Sequence, residues 1–311
     1  MKQSFGVPYQ GSKNRLAKEL VALLPSGERF VDLFAGGCAM THAAIFSGKY
    51  KSFLVNDKYP YGLRLFKMDV NGELDDPKYL RWVSREEFEK EKDTDPFVKL
   101  CWSFSNNGKN YMYNKNLEPT KRALHYAVVY DDWTYIEQLG LPEAVVDALK
   151  KSVEGKKDWN ERRLAMTHAA FDNKVIGLPR SMLQNLERLN KNKDIQAHMV
   201  CFNRANNLRS IDLRIEYTEK DYRDYEYREG DVVYCDPPYK GVACYDNNDF
   251  NSDEFYEWVR TREYPIYFSE YTAPDDFVEV FRKEVQMKFA PGQTRKGKWR
   301  VEKLYIHKKW L

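Results

Sequence analysis

Leu16, Leu20, Leu23 and Leu24 are spaced so that they form one apolar stripe, which predicts a helix. The chain enters it from the polar loop Val7-Pro8-Tyr9-Gln10-Gly11-Ser12-Lys13-Asn14, with Ser12 as the expected cap. Phe30-Val31-Asp32-Leu33 then reads as a short apolar strand running into a glycine turn, and residues 39–46 as a helix. Ser52-Phe53-Leu54-Val55-Asn56-Asp57 is a second strand that ends in an acid, and the alternation of helix and strand continues to about Asp69. The pattern then changes. Amphipathic stretches at 85–92, 142–152 and 180–190 predict a mainly helical region, broken by the Asn/Gly/Tyr-rich segment 105–116. Strands resume at 232–235, 264–269 and 301–307, with helices expected at 252–262 and 274–284. Helices alternating with apolar strands predict an α/β fold built on a doubly wound sheet.

Chemistry gathers at the strand ends. Gly36 and Gly37, at a strand-to-helix junction, let backbone approach a ligand with a helix N-terminus facing it, which suits a nucleotide-like cofactor. The turn is not G-x-G-x-x-G, which weakens a nicotinamide or flavin reading. Asp57, ending the second strand, stands where a ribose hydroxyl pair is held in doubly wound folds. Tyr9 and Lys13 flank a glycine loop and offer a ring and a cation. Asp236-Pro237-Pro238-Tyr239 follows the apolar run Val232-Val233-Tyr234-Cys235. The lone pair of an exocyclic amine on a base is delocalised into the ring, so its methylation needs acceptors that hold the two hydrogens. Asp236 supplies a carboxylate, Pro237 a carbonyl, the Pro-Pro pair a fixed backbone direction, and Tyr239 a flat face for a base taken out of its stack.

These motifs, in this order, resemble the Dam-type family of DNA adenine-N6 methyltransferases, and within it the phage enzymes. The matching segments are Tyr9 to Lys13, Phe30 to Gly37, Asn56-Asp57 and Asp236 to Tyr239, with a long insert before the last. The resemblance implies a Rossmann-like S-adenosylmethionine-dependent methyltransferase sheet formed by residues 1–70 and 212–311. It also implies a target-recognition domain inserted at 71–211, and transfer of a methyl group to N6 of a flipped adenine in double-stranded DNA. Asp236, Pro237, Pro238 and Tyr239 would be catalytic. Tyr9, Gly11, Lys13, Asp32, Phe34, Ala35, Gly36, Gly37, Asp57, Asp221, Tyr222 and Asp236 would bind S-adenosyl-L-methionine. Asn106, Asn107, Lys109 and Asn110, in a segment resembling the start of a DNA-contacting region, would meet DNA. Phe268-Ser269-Glu270-Tyr271 matches a strand end that borders the base pocket. One departure is visible: the family turn F-x-G-x-G here ends in Cys38.

Composition sets outer bounds. The 311 residues suit one large or two modest domains, and a net charge of +3 excludes a uniformly basic coat. Charge is local: from Arg282 onward basic residues outnumber Glu284 and Glu302, so the C-terminal segment is a candidate phosphate-facing surface. Tyr111, Tyr113, Tyr126 and Tyr130 lie among Lys109, Lys115, Lys121 and Arg122, a mixture that suits nucleic acid or a domain core. Cys38, Cys101, Cys201, Cys235 and Cys244 show neither C-x-x-C nor metal spacing, so no metal and no disulfide framework is expected. No apolar run of about eighteen residues exists, so no membrane partner is expected and the location is taken as cytoplasmic, in a bacterial or phage-infected cell. A cognate restriction endonuclease is left open as a partner. The alternatives are methylation of cytosine N4 or of an RNA base, which present the same kind of amine, or a catalytically silent DNA-binding relative.

Overall fold

The computed structural model describes residues 4–171, 205–209, 211–239, 250–286 and 299–311. The chain divides into two compact units, Met1–Asn71 with Arg204–Leu311, and Gly72–Asn203. The first contains a seven-stranded mixed sheet. Its strands are β1 (Arg29–Asp32), β2 (Ser52–Asn56), β3 (Ile215–Thr218), β4 (Asp231–Cys235), β5 (Ile266–Glu270), β6 (Phe277–Gln286) and β7 (Trp299–His307). They lie in the order β3-β2-β1-β4-β5-β7-β6. The first five in that order run parallel, whereas β7 pairs antiparallel with both β5 and β6. Strand order reverses between β1 and β4, the crevice where open α/β sheets hold ligands beyond the carboxyl ends of their strands. Asp32 lies opposite Tyr234 in that pairing, so the segments after β1 and β4 leave the sheet side by side.

β1 and β4 are buried along their whole length, which explains their continuous apolar character. Val31, Val233 and Cys235 join a core with Phe255, Trp258, Phe268 and Tyr305, while Phe30 stacks near Tyr234 with ring centres 6.5 Å apart. At the opposite end of the sheet, Arg29 donates to both carboxylate oxygens of Asp231 at 2.7 and 2.6 Å and locks β1 to β4.

The first helix, α1, spans Ala17–Leu23. Leu16, Leu20 and Leu24 are buried as the stripe predicts, but Leu23 is 49% exposed, and Val21 takes its place inside. Ser12 does not cap the helix. Leu16 is the N-cap without a side-chain bond, and the Lys13 carbonyl instead accepts the amides of Leu16 and Ala17. The Ser12 hydroxyl accepts the Asn14 amide. Helix α2 (Ala39–Ser47) is buried from Ala39 to Ile45, and α3 (Tyr61–Val70) follows β2.

The helix expected at 274–284 is a strand, β6. Phe277, Val278, Val280, Phe281 and Val285 favour extended backbone. The charged residues of β6 lie at the far edge of the sheet, where Arg282 and, from β7, Lys303 both reach Glu279. A bulge between Glu279 and Phe281 breaks the alternation that would have revealed a strand.

The second unit is helical over its described part, with helices at Arg85–Glu91, Pro96–Cys101, Glu118–Tyr130, Glu143–Val153 and Trp159–Phe171 among others. Leu124, Val128, Ile136, Val145 and Leu149 form its core. Tyr111 and Tyr113 are buried rather than displayed. The Tyr111 hydroxyl donates to the Val83 carbonyl at 2.7 Å, and Tyr113 stacks on Trp82. The helix expected at 180–190, the cysteines at 201 and 244, and Lys288, Arg295, Lys296 and Lys298 lie outside the described residues.

Candidate active site

The loop between β1 and α2 is shaped by close backbone packing. Gly36 has φ +49°, and an added Cβ would lie 2.9 Å from the Tyr9 ring. A Cβ on Gly62, at the start of α3, would lie 2.1 Å from the Gly36 carbonyl oxygen. The loop is thus clasped between Tyr9 and α3, and the Val7 amide donates to the Gly37 carbonyl at 2.8 Å. Cys38, where the resemblance leads one to expect a third glycine, adopts a left-handed conformation with φ 58° and accepts the amide of His42 at the start of α2. The backbone path is the one glycine would take, with a buried thiol side chain on it.

Two acids stand at the ends of neighbouring strands. Asp57 accepts the Gly36 amide at 2.7 Å and the Tyr59 amide at 2.8 Å, so it closes the glycine loop onto β2. Burial raises its carboxyl to about 6 against those two hydrogen bonds. Asp32 accepts the Thr41 hydroxyl at 2.7 Å through one oxygen. The other oxygen is buried without a hydrogen-bond partner among the described residues. Burial raises Asp32 to about 7, the Thr41 bond opposes this, and the charges of Asp236 and Asp57 add to it. An uncompensated buried carboxylate oxygen is costly and marks a place for a donor.

Asp236 to Tyr239 follow β4 directly. The ammonium of Lys13 lies 2.7 Å from Asp236 Oδ1 and 3.7 Å from Glu302 Oε2. Lys13 is only 8% exposed, so the helix-entry lysine is an interior cation. Burial pulls its pKa down, but Asp236 and Glu302 outweigh this and raise it. Burial raises Asp236, with Lys13 opposing. The Tyr239 hydroxyl donates to Glu302 at 2.9 Å. Its ring lies 4.6 Å from the Lys13 ammonium and meets Tyr271 edge to face with centres 4.5 Å apart. Arg300 donates to the Tyr271 hydroxyl at 2.8 Å. The Asp236 carboxylate and the Tyr239 ring are thus held beside one buried cation, and both can meet an amine on a planar ring.

Other predicted residues sit differently. Asp221 is held by Arg223 at 2.8 and 3.1 Å and by Lys58 at 3.3 Å, which with its backbone bond lowers it to about 2. Tyr222 is buried in an aromatic cluster, 5.1 Å from the half-buried Phe34. Ala35 donates its amide to the Asn56 carbonyl, and Gly11 lies exposed in the turn before Lys13. In the second unit, Asn106 donates to the Leu100 carbonyl, and the Asn107 side chain accepts the amides of Lys109 and Asn110. Those two asparagines build the loop, whereas Lys109 and Asn110 are exposed on it.

Glu302, Arg300, Thr41 and Gly62 escaped the sequence reading as site residues, whereas Tyr271 ends the segment expected to border the base pocket. Strand parity carries a signal for two of them: Arg300 and Glu302 alternate with Leu304 and Ile306, which are buried, so all four share a face of β7. Thr41 and Gly62 carry no comparable local signal, because their partners come from β1 and from the glycine loop.

A family model described as D12 class N6 adenine-specific DNA methyltransferase matches residues 9–264. The retron Ec67 DNA adenine methylase of Escherichia coli is 23% identical over 269 residues, covering 82% of this chain and 71% of that protein.

The conformation of Cys38 leads to a direct test. Cys38→Gly should fold with near-unchanged stability, because relief of left-handed strain, roughly 1–2 kcal/mol, offsets the lost thiol packing and the freer unfolded chain. Cys38→Val should be destabilised by about 2 kcal/mol or more, since a β-branched side chain resists that conformation. Urea denaturation of the two variants checks the order.

Proposed function

The chain belongs to the D12 class N6 adenine-specific DNA methyltransferase family, and from that premise we propose how its own residues carry methyl transfer to N6 of a flipped adenine in double-stranded DNA. The observation that supports this most is the placement of Asp236 to Tyr239 at the reversal of strand order, with Asp236 already paired to a buried lysine. S-adenosylmethionine supplies a methyl group made electrophilic by its sulfonium. The Asp236 carboxylate and the Pro237 carbonyl accept the two amine hydrogens, which draws the nitrogen lone pair out of the ring. Asp236 would also oppose the positive charge that the nitrogen acquires as the N–C bond forms and the C–S bond breaks, its electron pair leaving with a neutral thioether. The proton then lost from N6 would pass by way of the Asp236 carboxylate to solvent. Tyr239 offers its ring to the base, and stacking offsets part of the few kcal/mol that flipping costs. Positioning supplies much of the remainder.

The residues at the β1 and β2 ends fit the cofactor. The unpartnered oxygen of Asp32 suits the ammonium of its methionine portion, and the remaining acceptor capacity of Asp57 suits its ribose hydroxyls. Phe34, backed by Tyr222, offers an apolar wall beside the glycine loop. We assign target recognition to the unit Gly72–Asn203, with Lys109 and Asn110 as DNA contacts and Asn106 and Asn107 as the residues that hold their loop. Adenine is favoured over cytosine because the family model that matches is adenine-specific.

Two outcomes follow. Expressed in a host lacking adenine methylation, the wild-type protein should place N6-methyladenine in one short motif of genomic DNA. Asp236→Ala should reduce this by about a hundredfold or more while retaining S-adenosylmethionine binding. Near-normal turnover by the variant would remove Asp236 from the role, and N4-methylcytosine would change the substrate. Affinity for S-adenosylmethionine should also depend on pH. Burial raises Asp32 to about 7 and Asp57 to about 6, and both must be ionised to meet donors of the cofactor. Affinity should therefore weaken as pH falls through this window, with proton release on binding that is small at its upper end and grows toward its lower end. Calorimetry in buffers of different ionisation enthalpy reads both; a dissociation constant flat across the window would exclude these acids.

A further inference from the structure

We propose that Glu302, on β7, is a positioning residue for methyl transfer: its carboxylate holds the Tyr239 hydroxyl and shares the Lys13 ammonium with Asp236. The assignment rests on the reading above, in which Asp236 and Tyr239 meet the target base. One oxygen of Glu302 accepts the Tyr239 hydroxyl at 2.9 Å and lies 3.7 Å from the Lys13 ammonium. The Tyr239 ring is thereby fixed at its hydroxyl by Glu302, and it packs against the Lys13 cation and Tyr271. A ring held in this way presents a defined plane to a base, whereas an untethered tyrosine must lose rotamer freedom when the base arrives.

Charge gives Glu302 a second effect. Lys13 faces two carboxylates, so the trio carries one net negative charge in a largely buried setting. The groups around Asp236 are Lys13 from the loop before α1, Glu302 from β7, Tyr239 from its own segment, Asp32 from the end of β1, and Tyr234 and Cys235 from β4 itself. Tyr271, bonded to Arg300, adds to the field at Lys13. Burial is the largest influence that raises Asp236, Lys13 opposes it, and Glu302 adds a further upward push. Removing the Glu302 charge leaves Lys13 to Asp236 alone, so Asp236 ionises at lower pH.

Replacements that separate the hydrogen bond from the charge test this. Glu302→Ala removes both and should lower kcat by about tenfold or more, with little change in KM for S-adenosylmethionine. Glu302→Gln keeps an acceptor for Tyr239 and should recover most of kcat, but with the acid limb of its pH profile moved to lower pH. Tyr239→Phe keeps the ring and the Glu302 charge, and should lower kcat with the acid limb moved far less. An unshifted acid limb in Glu302→Gln would overturn the shared-lysine role, and wild-type kcat in Glu302→Ala would overturn the whole assignment. If Glu302→Ala does not fold, the near-isosteric Glu302→Gln profile decides. A wild-type protein that makes no N6-methyladenine would instead overturn the underlying reading, which separates the two failures.

Discussion

A buried ammonium must be paired, and the Lys13 ammonium is paired with carboxylates from two distant parts of the chain. The segment before α1, the end of β4 and the start of β7 meet there because burying Lys13, Asp236 or Glu302 alone would be strongly unfavourable. Removing Lys13 would leave two neighbouring carboxylates without their counter-charge, so the ionic contact constrains the backbone segments that carry it. The sheet supplies the frame. Parallel β1 and β4 direct their following segments to the same edge, and antiparallel β7 begins at that edge, so Glu302 arrives beside Asp236.

A second constraint acts on the neighbouring loop. Tyr9 and Gly62 approach Gly36 so closely that side chains have no room, and Asp57 ties the Gly36 amide to β2. Tyr9 and Lys13 belong to one short segment, so clasping of the glycine loop and pairing of Asp236 are mechanically connected. This gives a physical reason for the proposed sites of methyl donor and acceptor amine to lie close together. Methyl transfer without a covalent enzyme intermediate requires above all that the two reactants be held in line.

Much of the frame was legible because its pattern is local. β1, β2 and β4 are short apolar runs that end in chemistry-bearing residues, and the small residues of α2 mark a buried helix. β6 was not legible, since an edge strand exposes charges and its bulge interrupts the period of two. Ser12 had the right chemistry for a cap, but the Lys13 carbonyl begins the turn that leads into α1. At the site, the D-P-P-Y run and the glycine turn were visible as motifs. Taken singly, Lys13 read more as a solvated helix-start residue than as a ligand, because the carboxylates that bury it are remote in sequence. Glu302 was counted only as one acid in a basic tail, and its role depends on a pairing that no local window contains. Cys38 marked a departure from a glycine pattern, and the structure resolves it by placing a non-glycine residue at φ 58°.

The proposed chemistry requires a defined place for the target amine, and a crystal structure with a non-reactive S-adenosylmethionine analogue and a duplex containing the methylated motif measures this most directly. The predicted result is an adenine rotated out of the helix, its N6 hydrogens donated to the Asp236 carboxylate and the Pro237 carbonyl, its ring against Tyr239, and Lys13 still bridging Asp236 and Glu302. An adenine bound with its amine directed away from Asp236, or a different base in the pocket, would contradict it.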